Sequence, residues 1–230
     1  MIVTVCRTLN EERNIERFCT EYSKISDRIL ICDGGSRDKT LKIASSFDKV
    51  DIVKFKERVY RYINGKDGPR IWRNPHGKHL NYMFAWAIAA EAEWIIYDDC
   101  DSLPNKSMKE VLPSIFDSDY DSIKVLRYYL YKDKGYFYPM SHAGFARWAW
   151  RTELGVWASE ADPWHHHMTF DIAKNPKILM EPNVLLHYSF PDDEEIKRKA
   201  AFYATAKRYD GWDPLKFGGE LFPLPEWAVL

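Results

Sequence analysis

The stretch Trp94-Ile95-Ile96-Tyr97-Asp98-Asp99-Cys100-Asp101-Ser102-Leu103-Pro104 constrains this chain more than any other. Four bulky apolar or aromatic residues predict a short buried strand. Three carboxylates follow at its end, and a proline stops the run. A short apolar run bounded by turn signals suits a central strand of a parallel sheet. In such sheets ligands bind beyond the carboxyl ends of the strands. Acidic side chains packed this closely repel one another unless protons or a cation stand between them. Oxygen ligands alone suit a hard divalent ion, Mg²⁺ or Mn²⁺, shared with the phosphates of a substrate. The competing reading is an acidic loop on a solvated surface, and the rest of the chain decides between the two.

Upstream, Ile2 to Cys6 predicts a first strand, and Arg7 to Glu12 turns into a helix. Asn10 is the expected N-cap, and Ile15, Phe18 and Tyr22 recur at helical spacing. Arg28 to Cys32 predicts a second strand ending in Asp33-Gly34-Gly35-Ser36, with Ser36 expected to cap a helix running to about Phe47. Asp51 to Phe55 is a weaker third strand. Residues 54–78 carry eight Lys and Arg residues among glycines and prolines, which predicts loops. A helix from about Lys78 to Glu91, with an apolar body expected to be largely buried, leads into the acidic strand. Asn105 is expected to cap the next helix, and Pro113 to kink or shorten it. Ser122 to Leu130 predicts another strand. This alternation of strands and helices implies an open α/β sheet with helices on both faces.

The second half is aromatic and irregular. Strands are expected around residues 136–150 and from Ile178 to Tyr188, the latter interrupted at Pro182. A last helix opens at Asp192 to Glu195 and ends near Lys207-Arg208, acid first and base last as the helix dipole favours. Residues 210–230 read as a tail packed on the body through Trp212, Phe217, Phe222 and Trp227. A length of 230 residues fits one domain with an appendage. A net charge of -1 excludes a global electrostatic pull toward nucleic acid or anionic membrane. Four cysteines without C-x-x-C spacing read as buried thiols, which favours a reducing compartment. With no signal peptide and no apolar run near the ~20 residues of a membrane span, the expected location is cytoplasmic.

Three segments together make a family resemblance specific: Thr8-Leu9-Asn10-Glu11-Glu12, Asp33-Gly34-Gly35-Ser36-Arg37-Asp38-Lys39-Thr40, and Asp99-Cys100-Asp101. In order and spacing they resemble family 2 glycosyltransferases of the GT-A fold. Gly77-Lys78 and Asn81 ahead of the acidic strand also fit. The resemblance covers residues 1–130 and is loose beyond. It implies a nucleotide-sugar donor, with a UDP-sugar favoured, a divalent cation (Mn²⁺ or Mg²⁺) and transfer to an acceptor nucleophile, with inversion. It also implies a GT-A domain over residues 1–209, divided into a nucleotide-sugar-binding half (1–130) and an acceptor-side half (131–209). Carried over by residue, Glu11 resembles the nucleoside contact, in a loop that also offers Thr8 and Asn10 to the donor. Asp33 resembles the group that hydrogen-bonds the base. Asp99 and Asp101 match the acidic motif and are both expected at the metal, with Asp101 the more direct ligand. Asp98 departs from the family, which commonly has an apolar residue there. It either strengthens the metal site or bonds to the neighbouring backbone.

The chemistry makes independent sense. Breaking a sugar–diphosphate bond develops negative charge on the leaving group, which a divalent ion and cations such as Lys78 or Arg70 stabilise. An inverting transfer also needs a base near the acceptor hydroxyl. Asp162 and Glu160, set between Trp157 and Trp164, are the candidates, against a plain helix-capping role. His165-His166-His167 reads as a loop, since adjacent residues cannot all face one ion. His187 resembles a third metal ligand of GT-A enzymes, against the alternative of a core histidine.

Two other classes stand beside this reading. A nucleotidyltransferase also joins an α/β sheet to carboxylate-bound Mg²⁺, but favours a basic, Gly-rich loop after strand one, where this chain is acidic. A non-catalytic sugar- or nucleic-acid-binding module conflicts with the intact acidic motif. The acceptor stays open among saccharide, lipid-linked sugar, protein and modified nucleic acid. A modified DNA base is the minor option suggested by aromatics among the basic residues of the 54–78 segment.

Overall fold

Strands and helices alternate along the first half of the chain as their apolar periodicity demands. The computed structural model describes residues 1–55, 61–65, 68–72, 76–132, 135–137, 145–158, 173–197 and 221–228. The elements are β1 (Ile2–Thr8), α1 (Ile15–Tyr22), β2 (Arg28–Asp33), α2 (Thr40–Ala44), β3 (Val50–Lys54), β4 (Arg61–Gly65), β5 (Gly68–Trp72) and α3 (His76–Ala89). They continue with β6 (Trp94–Tyr97), β7 (Ser102–Pro104), α4 (Lys106–Phe116), β8 (Ser122–Tyr131), β9 (Gly135–Phe137), β10 (Phe145–Arg151), β11 (Pro176–Phe190) and β12 (Leu221–Phe222).

One sheet runs in the order β12-β9-β8-β10-β6-β1-β2-β3, with β11 joined to β8 and β7 joined to β11. The strands β6, β1, β2 and β3 are mutually parallel. Thr8 lies opposite Asp33, and Val5 opposite Tyr97. The carboxyl ends of β1, β2 and β6 therefore share one edge, and the loops that leave them are neighbours. Beyond β6 the sheet turns mixed: β10 is antiparallel to both β6 and β8, and β11 runs parallel to β8 but antiparallel to β7.

Side-chain alternation sorts the core to two faces. Cys6, Ile29, Ile31, Trp94 and Ile96 face α1, α2 and α4, where Phe18, Tyr22, Met108 and Leu112 meet them. Val3, Val5, Leu30, Ile95 and Tyr97 face α3, against Leu80, Met83, Phe84 and Ala87. Each fully buried large apolar side chain contributes about 1.5–3 kcal/mol, so these central strands are fixed in place by both layers. The body of α3 is buried on this one face only, and Ile88 stays 46% exposed.

Several local expectations are corrected. Asn10 is no N-cap: α1 begins at Ile15, and Asn10 sits at φ 57 with its side chain engaged elsewhere. Ser36 does not cap α2, which starts at Thr40 after Lys39. Both are drawn instead into contacts between the two loops. Asn105 does cap α4, accepting from Met108 N at 3.0 Å. Pro113 neither ends nor shortens that helix, which runs on to Phe116. The basic segment contains an antiparallel hairpin, β4–β5, where loops alone are expected. β11 continues past Pro182, with a register shift between Leu179 and Val184 absorbing the proline. Residues 193–197 are helical, and Asp192 accepts from Glu195 N at 2.8 Å as their cap. Of the aromatics assigned to the tail, Phe222 and Trp227 pack against Tyr128, Leu130 and Leu186; Trp212 and Phe217 lie outside the described residues.

Candidate active site

The loops after β1 and β2 interlock. Asn10 N donates to Ser36 Oγ at 2.9 Å, and Arg37 N donates to Asn10 Oδ1 at 2.8 Å. Glu11 N donates to Thr40 Oγ1 at 2.7 Å, Glu12 N to Asp38 Oδ2 at 3.1 Å, and Lys39 N to Glu12 Oε2 at 3.0 Å. Gly34 N closes the base of the clamp on Thr8 O at 2.9 Å. Many residues that the family resemblance marks therefore hold one loop against the other. The Glu11 carboxylate accepts from Asn14 Nδ2 at 2.8 Å. Thr8 Oγ1 is buried and has no hydrogen-bond partner among the described residues.

Asp33 closes β2 and is 1% exposed. Its Oδ2 accepts from Gly35 N at 2.9 Å, and its Oδ1 accepts from Ser36 Oγ at 2.5 Å. Ser36 N is shared between both oxygens, at 3.1 and 3.0 Å. Gly35 sits at φ +105, a conformation side chains resist, and so lets its N–H turn back onto the carboxylate.

At the end of β6 the three acids take three different environments. Asp98 is 0% exposed, and donors surround its oxygens. Tyr22 Oη reaches Oδ2 at 2.5 Å and Trp148 Nε1 reaches it at 3.0 Å. Asp99 N and Arg127 Nη2 both reach Oδ1 at 2.9 Å. These donors already occupy the roughly four lone-pair positions of a carboxylate. Of the two roles open to it, bonding to the neighbouring backbone is the one observed. A bulge between Arg147 and Ala149 puts Trp148 on the inner face to make this bond. Burial pushes the Asp98 carboxyl up, and the Arg127 guanidinium pulls it back. Burial opposes charge on Arg127 as well, but Asp98 and then Asp99 hold its guanidinium protonated well above the ordinary arginine range. Burial, then Asp98, likewise raise the Tyr22 phenol.

Asp99 is the open acid, its side chain 39% exposed. Its Oδ2 lies 3.4 Å from Arg127 Nη1 and its Oδ1 3.5 Å from Tyr97 Oη. Asp101 has a different neighbour. Its Oδ1 is 3.2 Å from His187 Nδ1, because β11 lays His187 opposite Ser102 on β7. Its carbonyl accepts from Tyr188 N at 2.7 Å, and the His187 ring stands edge-on to Tyr129 at 5.1 Å. No group of three or more His, Cys, Asp or Glu side chains spaced to hold a metal occurs among the described residues. Two adjacent oxygen and nitrogen donors do fit the other design, in which substrate phosphates complete the coordination of a Mg²⁺- or Mn²⁺-like ion.

On α3, Lys78 is exposed in the first turn, and His79 is buried, its Nε2 2.7 Å from Cys32 Sγ and its ring stacked on Phe55 at 4.3 Å. Asn81 is 4% exposed and exchanges two hydrogen bonds with the backbone of Ala158. Trp157, next to it, is 47% exposed. Glu160, Asp162, Trp164 and His165 to His167 lie outside the described residues, as does the Arg70 side chain. Arg127 and Trp148 have no place in the sequence reading, which takes Tyr22 only as an apolar position of α1. Arg127 carried a signal, since a charge inside the apolar run Ile123 to Leu130 requires a partner.

The sequence matches Glycosyl transferase family 2 over residues 4–175. The chain belongs to that family. Solved structures share its GT-A fold. Residues 1–349 of TarS from S. aureus superpose with a TM-score of 0.56 at 14% identity, covering 92% of this chain and 66% of that one. This chain thus spans somewhat less than two thirds of that TarS segment. Glucosyl-3-phosphoglycerate synthase from Mycobacterium tuberculosis, in complex with phosphoglyceric acid, gives a TM-score of 0.47 at 17% identity, covering 92% and 81%. HddC from Yersinia pseudotuberculosis gives 0.49 at 12% identity, covering 91% and 99%. At 14% identity the TarS likeness speaks to fold alone. No curated protein matches. Among the described residues, no helix of this family 2 chain is long and apolar enough to cross a membrane.

Proposed function

We propose that this chain transfers a sugar from a nucleotide-diphosphate sugar, with UDP-sugars favoured, to an acceptor hydroxyl with inversion, using Mn²⁺ or Mg²⁺. The observation that carries this reading is the strand end after β6, where Asp101 and His187 sit 3.2 Å apart and Asp99 opens to solvent beside them. Asp101, Asp99 and His187 would hold the ion, with Asp99 on the donor side. Bound there, the ion would offset the negative charge that develops on the departing diphosphate.

The chain's own residues do the rest. The interlocked loops after β1 and β2 form the nucleoside side of the cleft, with Thr8, Asn10 and Glu11 on one loop and Asp33 under the other. Lys78, exposed at the start of α3, supplies a cation to the diphosphate. Asp162 or Glu160 takes the proton from the acceptor hydroxyl. Both follow Ala158, which Asn81 ties to α3. The acceptor is a hydroxyl on a saccharide, lipid-linked sugar, protein or modified nucleic acid, and the reaction takes place in the cytoplasm. Buried free thiols at Cys6, Cys19, Cys32 and Cys100 agree with a reducing compartment.

A thermal-shift screen of nucleotide sugars with and without Mn²⁺ tests the reading, since a ligand that binds only the folded state raises its melting temperature. UDP-sugars are expected to protect, and more so with Mn²⁺. No protection by any nucleotide sugar would overturn the donor assignment.

A further inference from the structure

We propose that Asp98 and Arg127 are a positioning pair that aims Asp99 at the ion site beside the donor diphosphate, an inference that rests on the donor reading above. Asp98 touches no open space. Its four lone-pair positions face Tyr22, Trp148, Asp99 N and Arg127, three of which can only donate. A carboxylate so saturated cannot swing or meet substrate. What it does instead is anchor the guanidinium, Nη2 on Oδ1 at 2.9 Å. The planar fork then presents Nη1 toward Asp99 Oδ2, at 3.4 Å.

Asp99 is restrained from two sides as a result, by its own N–H on Asp98 and by its carboxylate beside Arg127. Without the guanidinium beside it, an acid whose side chain is 39% exposed would sample more rotamers. Stability alone does not explain the pair. Burying a carboxylate and a guanidinium is a poor substitute for apolar packing. The pair therefore serves the motif as well as the core it bonds to through Tyr22 and Trp148. Arg127 is a positioning residue: it acts through Asp99, as the outer partners of metal-binding side chains do.

Calorimetric titration of Mn²⁺, and of UDP with and without Mn²⁺, separates aim from charge and from fold. The proteins compared are the parent, Arg127→Lys and Arg127→Met, with thermal melts recorded for each. Lysine keeps the charge but offers a single ammonium that cannot hold Asp98 and Asp99 in fixed geometry. Both variants are expected to bind UDP about 10-fold more weakly with Mn²⁺, the usual scale for an outer partner, and less than about 2-fold more weakly without it. Parent-like Mn²⁺-dependent binding in Arg127→Lys overturns the proposal, because charge alone then suffices. Equal losses with and without Mn²⁺ also overturn it, because the pair is then only structural. If Arg127→Met does not fold, Arg127→Lys still decides. If the parent binds Mn²⁺ but no UDP, the donor reading falls and the pair is judged on Mn²⁺ alone: weaker binding in Arg127→Lys supports it, unchanged binding ends it. A parent that binds no Mn²⁺ ends both.

Discussion

Asn81 and Ala158 exchange two hydrogen bonds across the α3 face of the sheet, Asn81 Nδ2 to Ala158 O at 3.0 Å and Ala158 N to Asn81 Oδ1 at 2.7 Å. A primary amide is the side chain that offers both a donor and an acceptor in one plane, so the match to a strand-like backbone is specific. Asn81→Asp keeps the bond to Ala158 N but sets a carboxylate oxygen against Ala158 O. Asn81→Leu leaves both backbone groups of Ala158 buried and unpaired. Each is expected to cost about 1–3 kcal/mol, read as a lower urea midpoint. Transfer is expected to fall more than UDP binding in both variants, since the proposed bases follow Ala158. An unchanged ratio of transfer to UDP binding would place the base elsewhere.

Asp101→Ala is expected to abolish transfer and donor hydrolysis while the protein melts within a few degrees of the parent. Asp101 packs in no core cluster, and its carboxylate meets His187 at the edge of β7. Its removal weakens the ion site and leaves the core alone. Full activity with unchanged Mn²⁺ affinity would sink the metal assignment.

Asp33 has two duties to separate. A carboxylate can accept from uracil N3–H, and losing such a bond costs about 1.5–3 kcal/mol when the acceptor is ionised. The same oxygens already accept from Gly35 N, Ser36 N and Ser36 Oγ. Asp33→Asn is therefore expected to lower the melting temperature and also to erase the preference for UDP over ADP. Ser36→Ala removes one competitor for Oδ1, weakens the clamp on Asn10, and is expected to keep that preference. An Asp33→Asn protein that melts lower yet still prefers UDP would confine Asp33 to shaping its loop.

How much of this was legible in the sequence depends on how far each residue reaches. The apolar runs of β1, β2 and β6 declare themselves locally, and their parallel pairing follows from the helices between them. The acidic strand end, Asp33 and the Glu11 loop were marked by motif. Asn10 and Ser36 were misread as caps because their real partners lie on each other's loops, and local propensity cannot see that contact. Arg127 went unread, although a charge in a largely apolar strand is a signal, and only the sheet order brings β8 close enough to Asp98 to name its partner. His187 was named, and its approach to Asp101 depends on the pairing of β11 with β7, which no periodicity encodes.

His79 makes stability depend on pH in a direction that can be worked out. Burial, and secondarily the charge of Arg7, lower its pKa from 6.5 to about 4. The folded state thus resists protonation that the unfolded chain accepts freely. Above the unfolded value the imidazole is neutral in both states and its contribution to stability is fully present. As pH falls below about 6.5 the unfolded chain takes up the proton first, and stability is lost until the folded value is reached. Linkage puts the loss at about 2 kcal/mol by pH 5 and about 3 kcal/mol by pH 4. His79→Phe keeps the stack on Phe55 and removes the proton site. Urea unfolding of parent and variant at pH 7.5 and 5 isolates the effect, because the other histidines contribute equally to both. The parent is expected to lose about 2 kcal/mol more than the variant over that interval. Equal losses would mean that His79 takes up its proton within the fold as readily as in the unfolded chain.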